Sequence, residues 1–364
     1  MRDAINNIKP EVRALKAYAL RPDRASIKIN QNENPWDAPE RIRSETLNRI
    51  ESREWSRYPD FVATALHEKL ARFAGWTAEG VIAGNGSNEL IQALLMVTIG
   101  PGKRVLICEP TFALYRQITT VLGGEIISAP VRDGFGFDAA AIREAMRRFN
   151  PEVTIICSPN NPTGQALDDD DLRDLLRETS GLVAIDEAYH EFAGRSVVPL
   201  LRDHSNLVVL RTFSKAMALA GLRVGYLLAA PALVTEIKKA VLPYNLNSFS
   251  QTAGEVALEN YDRELRPLVE GIVAEREGLF RELEKIAGLS PVRSSANFMI
   301  VRSDLNPQTV FAELLRRDIL VRDVSSYPLL ADYFRVSVGR PEENEKLIVA
   351  LREIFASIAT ATNT

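Results

Sequence analysis

Leu207-Val208-Val209-Leu210-Arg211-Thr212-Phe213-Ser214-Lys215 begins as an unbroken apolar run and ends on a lysine. Continuous rather than alternating apolarity means burial on both faces, as in a mainly parallel sheet covered by helices. Six more runs share the pattern: Val81–Ala83, Arg104–Cys108, Glu125–Ala129, Val153–Cys157, Leu182–Ile185 and Val224–Leu228. Helical stretches alternate with them, so the expected class is α/β, with a mainly parallel seven-stranded sheet between helices. Ligands of such sheets bind at the carboxyl ends of the strands. Asn161, Asp186 and Lys215 each follow a run.

After Pro243 the pattern changes. Residues from about 250 to 289 read as a long amphipathic helix interrupted near Pro267. Phe298–Val301, a helix around Val310–Arg317, Ile319–Val321, Phe334–Val338 and a last helix opened by Pro341 follow. This predicts a smaller α+β unit over 246–364 with a largely antiparallel sheet, after a large unit over 37–245. Residues 1–36 are polar and proline-punctuated and cannot pack a core alone. They read as an arm lying over something else, packed in part with the small unit.

The chain has 364 residues, 46% of them hydrophobic and 25% charged, with a formal charge of −4. That balance suits neither nucleic acid nor a membrane surface and points to a small-molecule partner. Cys108 and Cys157 end apolar runs and read as reduced core residues. The three histidines, His67, His190 and His204, lack ligand spacing, so no metal is expected. Met1-Arg2-Asp3-Ala4 opens no apolar signal region and no window approaches a membrane span; the expectation is a cytoplasmic protein.

At the end of a buried strand, desolvation favours the neutral form of Lys215, the form that adds to a carbonyl. Ser214 and Arg223 would offer a phosphate its ligands. A solvated strand-end lysine is the plain alternative. Asp186 at the end of Leu182–Ile185 is costly unless a cation meets it, and a protonated ring nitrogen is such a cation; a cap for the next helix is the other reading. Glu187 suits a structural role, and His190 reads as a packed core histidine. Ser158-Pro159-Asn160-Asn161-Pro162-Thr163-Gly164 makes a rigid loop whose Asn161 could donate to a phenolate-like oxygen. Gly84-Asn85-Gly86-Ser87-Asn88-Glu89 leads into a helix whose first N–H groups form an anion site, or are capped by Ser87 or Asn88.

Asn161-Pro162-Thr163-Gly164, Asp186-Glu187-Ala188-Tyr189, Ser214-Lys215 with Arg223 eight residues on, and Arg335-Val336-Ser337-Val338-Gly339 occur in that order in one chain. Together they resemble the fold-type-I, pyridoxal-phosphate-dependent aminotransferases of class I and II. Asn32-Glu33-Asn34-Pro35, Arg57-Tyr58-Pro59-Asp60 and Ala218-Leu219-Ala220-Gly221-Leu222-Arg223 are similar to the histidinol-phosphate aminotransferase branch.

The resemblance implies pyridoxal 5'-phosphate held covalently by Lys215, which would also shuttle the α-proton. Asp186 would pair with the ring nitrogen, and Tyr189 and Asn161 would hydrogen-bond the ring oxygen. Phe112, where related sequences often carry Tyr, would stack on the ring. Ser87, Asn88, Ser214 and Arg223 would bind the phosphate. Tyr58 would reach it from a second chain, which implies a homodimer with a shared active site. Arg335 would clamp the substrate carboxylate, and Arg322 is a second anion site suited to a phosphorylated substrate, or else pairs with Asp323 or Asp332. Tyr18, Asn34 and Tyr244 are further pocket candidates. The implied reaction passes an amino group from L-histidinol phosphate to 2-oxoglutarate in histidine biosynthesis. An aromatic amino acid aminotransferase, a decarboxylase of a phosphorylated amino acid and a non-catalytic binding protein are the rivals.

Overall fold

Each apolar run becomes a strand. In a computed structural model that describes residues 3–16 and 23–361, β1 (Ile27–Lys28) stands apart from seven strands that form one sheet. These are β2 (Val81–Asn85), β3 (Arg104–Cys108), β4 (Glu125–Ala129), β5 (Val153–Cys157), β6 (Leu182–Asp186), β7 (Leu207–Thr212) and β8 (Val224–Ala229). Their order is β2-β8-β7-β6-β5-β3-β4. β8 runs against its two neighbours and the remaining pairs are parallel.

Successive residues of the central strands feed two different cores. Val183, Ile185, Leu207 and Val209 pack with Leu66, Leu70, Leu172 and Val256 on one face. Ala184, Val208 and Leu210 pack with Leu90, Leu94 and Val234 on the other. Both faces are therefore dry, which is why no polar residue interrupts Leu207–Leu210. Each such Leu or Val contributes roughly 1.5–3 kcal/mol by leaving water. A single Val209→Asp would place an unpaired charge in that layer and should unfold it.

The reversal of β8 has a positional effect. β7 ends and β8 begins at the same edge, pairing Thr212 with Gly225. Residues 213–223 therefore turn back at that edge, where β5, β6 and β2 also end. Ser214, Lys215 and Arg223 are delivered beside Asp186, Cys157 and Ser87.

Beyond the large sheet, β9 (Leu289–Pro291), β10 (Phe298–Ser303), β11 (Ile319–Leu320), β12 (Arg322–Asp323) and β13 (Tyr333–Ser337) follow. An antiparallel sheet of order β12-β13-β10-β9 carries Met299, Val301, Phe334 and Val336 into a core with Val310, Leu314, Leu347 and Leu351. β1 pairs in parallel with β11, so Ile27 and Ile29 of the N-terminal arm belong to this second core. The long helix expected over 250 to 289 is two helices, Ser248–Glu259 and Arg266–Glu284, joined by the π turn Tyr261–Leu265. Pro267 lies in the first turn of the second helix, where its missing N–H breaks no intrahelical bond.

Candidate active site

The carboxyl edge of the large sheet opens into a cavity of about 400 Å³. On its floor lies Asp186, the last residue of β6 and 3% exposed. Its Oδ2 accepts a hydrogen bond from the Tyr115 hydroxyl at 2.6 Å, and its Oδ1 accepts the Ala188 N–H at 3.1 Å. Burial nevertheless pushes the carboxyl up to about 6, because these two donors only partly replace water. Asp186 does not cap the next helix, His190–Ala193, whose N-cap is Tyr189 with no side-chain cap; its side chain holds the turn through Ala188 and lines the cavity.

Lys215 follows β7 by three residues. Its Nζ donates to the main-chain carbonyl of Gln31 at 2.9 Å and lies 6.0 Å from the Tyr189 ring. Burial pulls the amine down to about 8, and the Arg335 cation pulls the same way. A larger neutral fraction near neutral pH is what nucleophilic chemistry at an amine requires.

Opposite the floor, the helix Ser87–Thr98 starts at the cavity. Its N-cap is Gly86, with φ 75° and no side-chain cap, so neither Ser87 nor Asn88 fills the capping role. The Glu89 carboxylate accepts the Asn85 N–H at 2.6 Å instead. A Cβ on Gly86 would sit 2.4 Å from Arg223 Nη2, and one on Gly225 would sit 2.3 Å from the Ser87 nitrogen. The two glycines thus bring a helix start and a guanidinium together as only bare backbone allows. Arg223 Nη1 donates to Ser214 Oγ at 3.2 Å. Uncapped N–H groups, a hydroxyl and a guanidinium around one hollow make an anion cradle.

Arg335 of β13 closes the far side. Its Nη1 donates to Asn161 Oδ1, which leaves the Asn161 amide nitrogen as a donor, and its Nη2 donates to the Asn30 carbonyl at 2.8 Å. Arg322 faces Arg335 across the β12–β13 register, and both line the cavity. Like charges directly opposite on a sheet are unfavourable unless an anion lies between them. Among the described residues no ion pair joins Arg322 to Asp323 or Asp332. Tyr189 accepts the Asn32 amide at 3.1 Å, and burial holds its phenol above its ordinary range.

Phe112 lines the cavity with its ring edge-on to Tyr115 at 5.6 Å. Glu187 points away from the cavity and pairs with Arg211 at 2.9 Å, both side chains buried. His190 is buried and held well below its ordinary range by that burial.

Eleven expected positions thus reach one place: Ser87, Asn88, Phe112, Asn161, Asp186, Tyr189, Ser214, Lys215, Arg223, Arg322 and Arg335 line the cavity. Four do not. Asn34 lines a neighbouring hollow and bonds the Ala216 carbonyl at 3.3 Å. Tyr58, 80% exposed, and Tyr244 stack on each other at 4.4 Å, and both lie outside the cavity lining. Tyr18 lies outside the described residues. Sequence reasoning missed Tyr115 and Asn32. Asn32, with φ 55°, takes the Ser337 hydroxyl on its Oδ1 at 3.1 Å and gives its N–H to the same hydroxyl at 2.8 Å. Only a tyrosine one helical turn beyond Phe112 and a polar arm hinted at them.

The set suits a planar ring with a basic nitrogen over Asp186 and a phosphoester at the cradle. Residues 24–351 match the family model for aminotransferase class I and II. The chain belongs to that family. Within it, the chain is 40% identical to the histidinol-phosphate aminotransferase of Chlorobium phaeobacteroides, over 96% of this chain and 98% of that one. It is 38% identical to the enzyme of the same name from Chlorobium luteolum, again over 96% and 98% of the two chains. The fold is also that of the histidinol-phosphate aminotransferase of Sinorhizobium meliloti in complex with pyridoxal-5'-phosphate, with TM-score 0.87, 23% identity and coverage of 96% and 97%. L-threonine-O-3-phosphate decarboxylase from Porphyromonas gingivalis shares it at TM-score 0.79 and 21% identity, covering 91% of this chain and 99% of that one.

Proposed function

We propose that this chain is a pyridoxal-phosphate-dependent aminotransferase that takes the amino group of L-histidinol phosphate and gives it to 2-oxoglutarate, a step of histidine biosynthesis. The observation that carries this reading is the meeting of a depressed lysine, a buried carboxyl without a cation and two arginines in register around one cavity.

Bound pyridoxal 5'-phosphate supplies an aldehyde that condenses with amines and a ring that accepts the electron pair left by the α-proton. Lys215 Nζ, whose pKa burial pulls down to about 8, would hold that aldehyde, and the same amine would take up and return the proton of the substrate α-carbon. Asp186, otherwise a buried charge without a counterion, keeps the ring nitrogen protonated. Tyr189 and the Asn161 amide nitrogen would orient the ring oxygen, and Phe112 would pack against the ring. Ser87, Asn88, Ser214 and Arg223 hold the cofactor phosphate.

Arg335 and Arg322 bind the anionic end of either substrate. L-histidinol phosphate carries a phosphate where an amino acid carries its α-carboxylate, and two opposed guanidiniums suit that dianion. The residues from Asn30 to Glu33 cover the Lys215 side and limit water.

The working unit is a homodimer. Tyr58, Phe61 and Tyr244 form an exposed aromatic cluster, 39% to 80% exposed, of the kind a partner covers, and the exposed Trp55 and Leu242 lie near them in sequence. Tyr58 would meet the partner's cofactor phosphate across that cluster. The arm joins the C-terminal unit through the β1–β11 pairing, while the helix Ser248–Glu259 packs on the large unit's core through Val256, so the division falls beyond that helix rather than at about residue 245.

A donor screen with 2-oxoglutarate, reading glutamate formed, tests the reading. L-histidinol phosphate should give the highest kcat/KM. A preference for phenylalanine would move the chain to the aromatic aminotransferases, and carbon dioxide release without an oxo acid would move it to the decarboxylases.

A further inference from the structure

Tyr115 is the fully buried residue whose hydroxyl meets Asp186. It lies at 0% exposure on the helix Leu114–Leu122, one turn after Phe112, with its ring edge-on to the Phe112 ring at 5.6 Å. Nothing in the packing alone requires a tyrosine there, since a phenylalanine would fill the same volume. The hydroxyl is therefore the informative atom. A buried hydroxyl is costly unless it is paired, and this one is paired at 2.6 Å with Oδ2 of a carboxyl.

We propose that Tyr115 is a positioning residue: its hydroxyl fixes the plane of the Asp186 carboxyl and favours the ionised form that a protonated ring nitrogen needs. This rests on the aminotransferase reading. The Cys157 thiol shares the Tyr115 hydroxyl with Asp186. Cys157 ends β5, Glu187 directly follows Asp186 beyond the end of β6, and Tyr189 comes from the turn after it; among the described residues the groups acting on Asp186 include no cation. Burial and Glu187 favour the neutral acid, while the Tyr115 hydroxyl and the Ala188 N–H oppose them. The Ala188 N–H is backbone and fixed by the turn. Tyr115 is thus the side chain through which this sequence adjusts the carboxyl. The hydrogen bond also holds Oδ2, so Oδ1 remains the oxygen whose position the Ala188 N–H sets.

Tyr115→Phe tests it, with Tyr115 ring packing preserved. In cofactor-free protein labelled with carbon-13 in its aspartate carboxyls, the Asp186 resonance, assigned by its loss in Asp186→Asn, should titrate about one pH unit higher in Tyr115→Phe than in the parent. In the loaded enzyme, kcat should fall about tenfold with KM for the amino donor little changed, and the pH profile should move to higher pH with the carboxyl. An unchanged Asp186 titration would overturn the proposal. A second measurement needs no substitution: with tyrosine labelled at Cζ, one resonance of the parent protein should inflect at the pH where Asp186 titrates, and absence of any such inflection would equally overturn it. Both titrations use cofactor-free protein. Failure of the aminotransferase reading would register separately, as parent protein that gains no visible absorbance with pyridoxal 5'-phosphate.

Discussion

At the cavity floor Tyr115 is wholly buried, and its hydroxyl meets a carboxylate oxygen with the Cys157 thiol beside it. On the ledge near Leu242, Tyr58 is 80% exposed, stacks on Tyr244 at 4.4 Å and has Phe61 edge-on to that second ring at 5.2 Å. The same residue type is held by electrostatics in one place and by ring contact alone in the other. At the floor, burial makes each polar atom expensive, so Asp186 and Tyr115 are paired with each other and the protonation of both is moved. On the ledge water still satisfies the hydroxyls, and the apolar surface is what remains unsettled. Chemistry belongs to the first region, and association to the second.

If the floor is the seat of chemistry, Lys215→Ala should be the most damaging change. It should lower glutamate formation by at least about a thousandfold, since a proton-transfer group alone is worth roughly 10²–10⁴. Circular dichroism should report an intact fold, and retained turnover would remove Lys215 from the mechanism. Asp186→Ala should come next, with a loss of roughly a hundredfold in kcat and faster release of cofactor, read by single-turnover absorbance. Equal rates in parent and variant would leave the floor without its electrostatic role.

Arg322→Ala acts at the wall between floor and solvent. It should cost L-histidinol phosphate about tenfold to a hundredfold in kcat/KM and an unphosphorylated donor far less. Equal losses on both donors would argue against a phosphate contact. On the ledge, Tyr58→Ala should weaken cofactor retention about fivefold, the size of one ordinary hydrogen bond. It should also loosen any dimer in sedimentation experiments; a loss as large as that of Asp186→Ala would erase the distinction between the two regions.

The smallest expected effect is in stability against pH. Folded Lys215 lies at about 8 against an ordinary 10.5. Between those values the unfolded chain binds the proton that the folded chain has lost, so cofactor-free protein should become more stable as pH rises through that window. Lys215→Met should flatten the slope in urea titrations, and an unaltered slope would mean the amine is not depressed.

Much of the floor was legible because strand ends leave a plain signature. Four apolar residues followed by Arg211-Thr212-Phe213-Ser214-Lys215 already say that the lysine emerges from a dry layer, and Asp186 and Asn161 emerge the same way. Tyr115 was not legible as a partner of Asp186, because its helix is amphipathic and an aromatic at that spacing reads as core. Asn32 was hidden for another reason. Its bonds to Tyr189, Ser337 and Asn297 join residues hundreds of positions apart, and a polar loop carries no periodicity to announce them. β1 and β12 are two residues long each, too short for any pattern. Tyr58 was legible as a motif, yet its meaning depends on a second molecule that one sequence does not describe.

Ile27–Lys28 is a stitch rather than a tail. It anchors the segment whose Gln31 carbonyl holds the Lys215 amine and whose Asn32 steers the Tyr189 phenol. A cut in the chain between Lys28 and Gln31 would touch the second core only at Ile29 while unlacing the amine's tether. The outcome would be a sound, well-folded body with an idle centre, so integrity by gel or by melting curve is a poor proxy for a working preparation of this molecule.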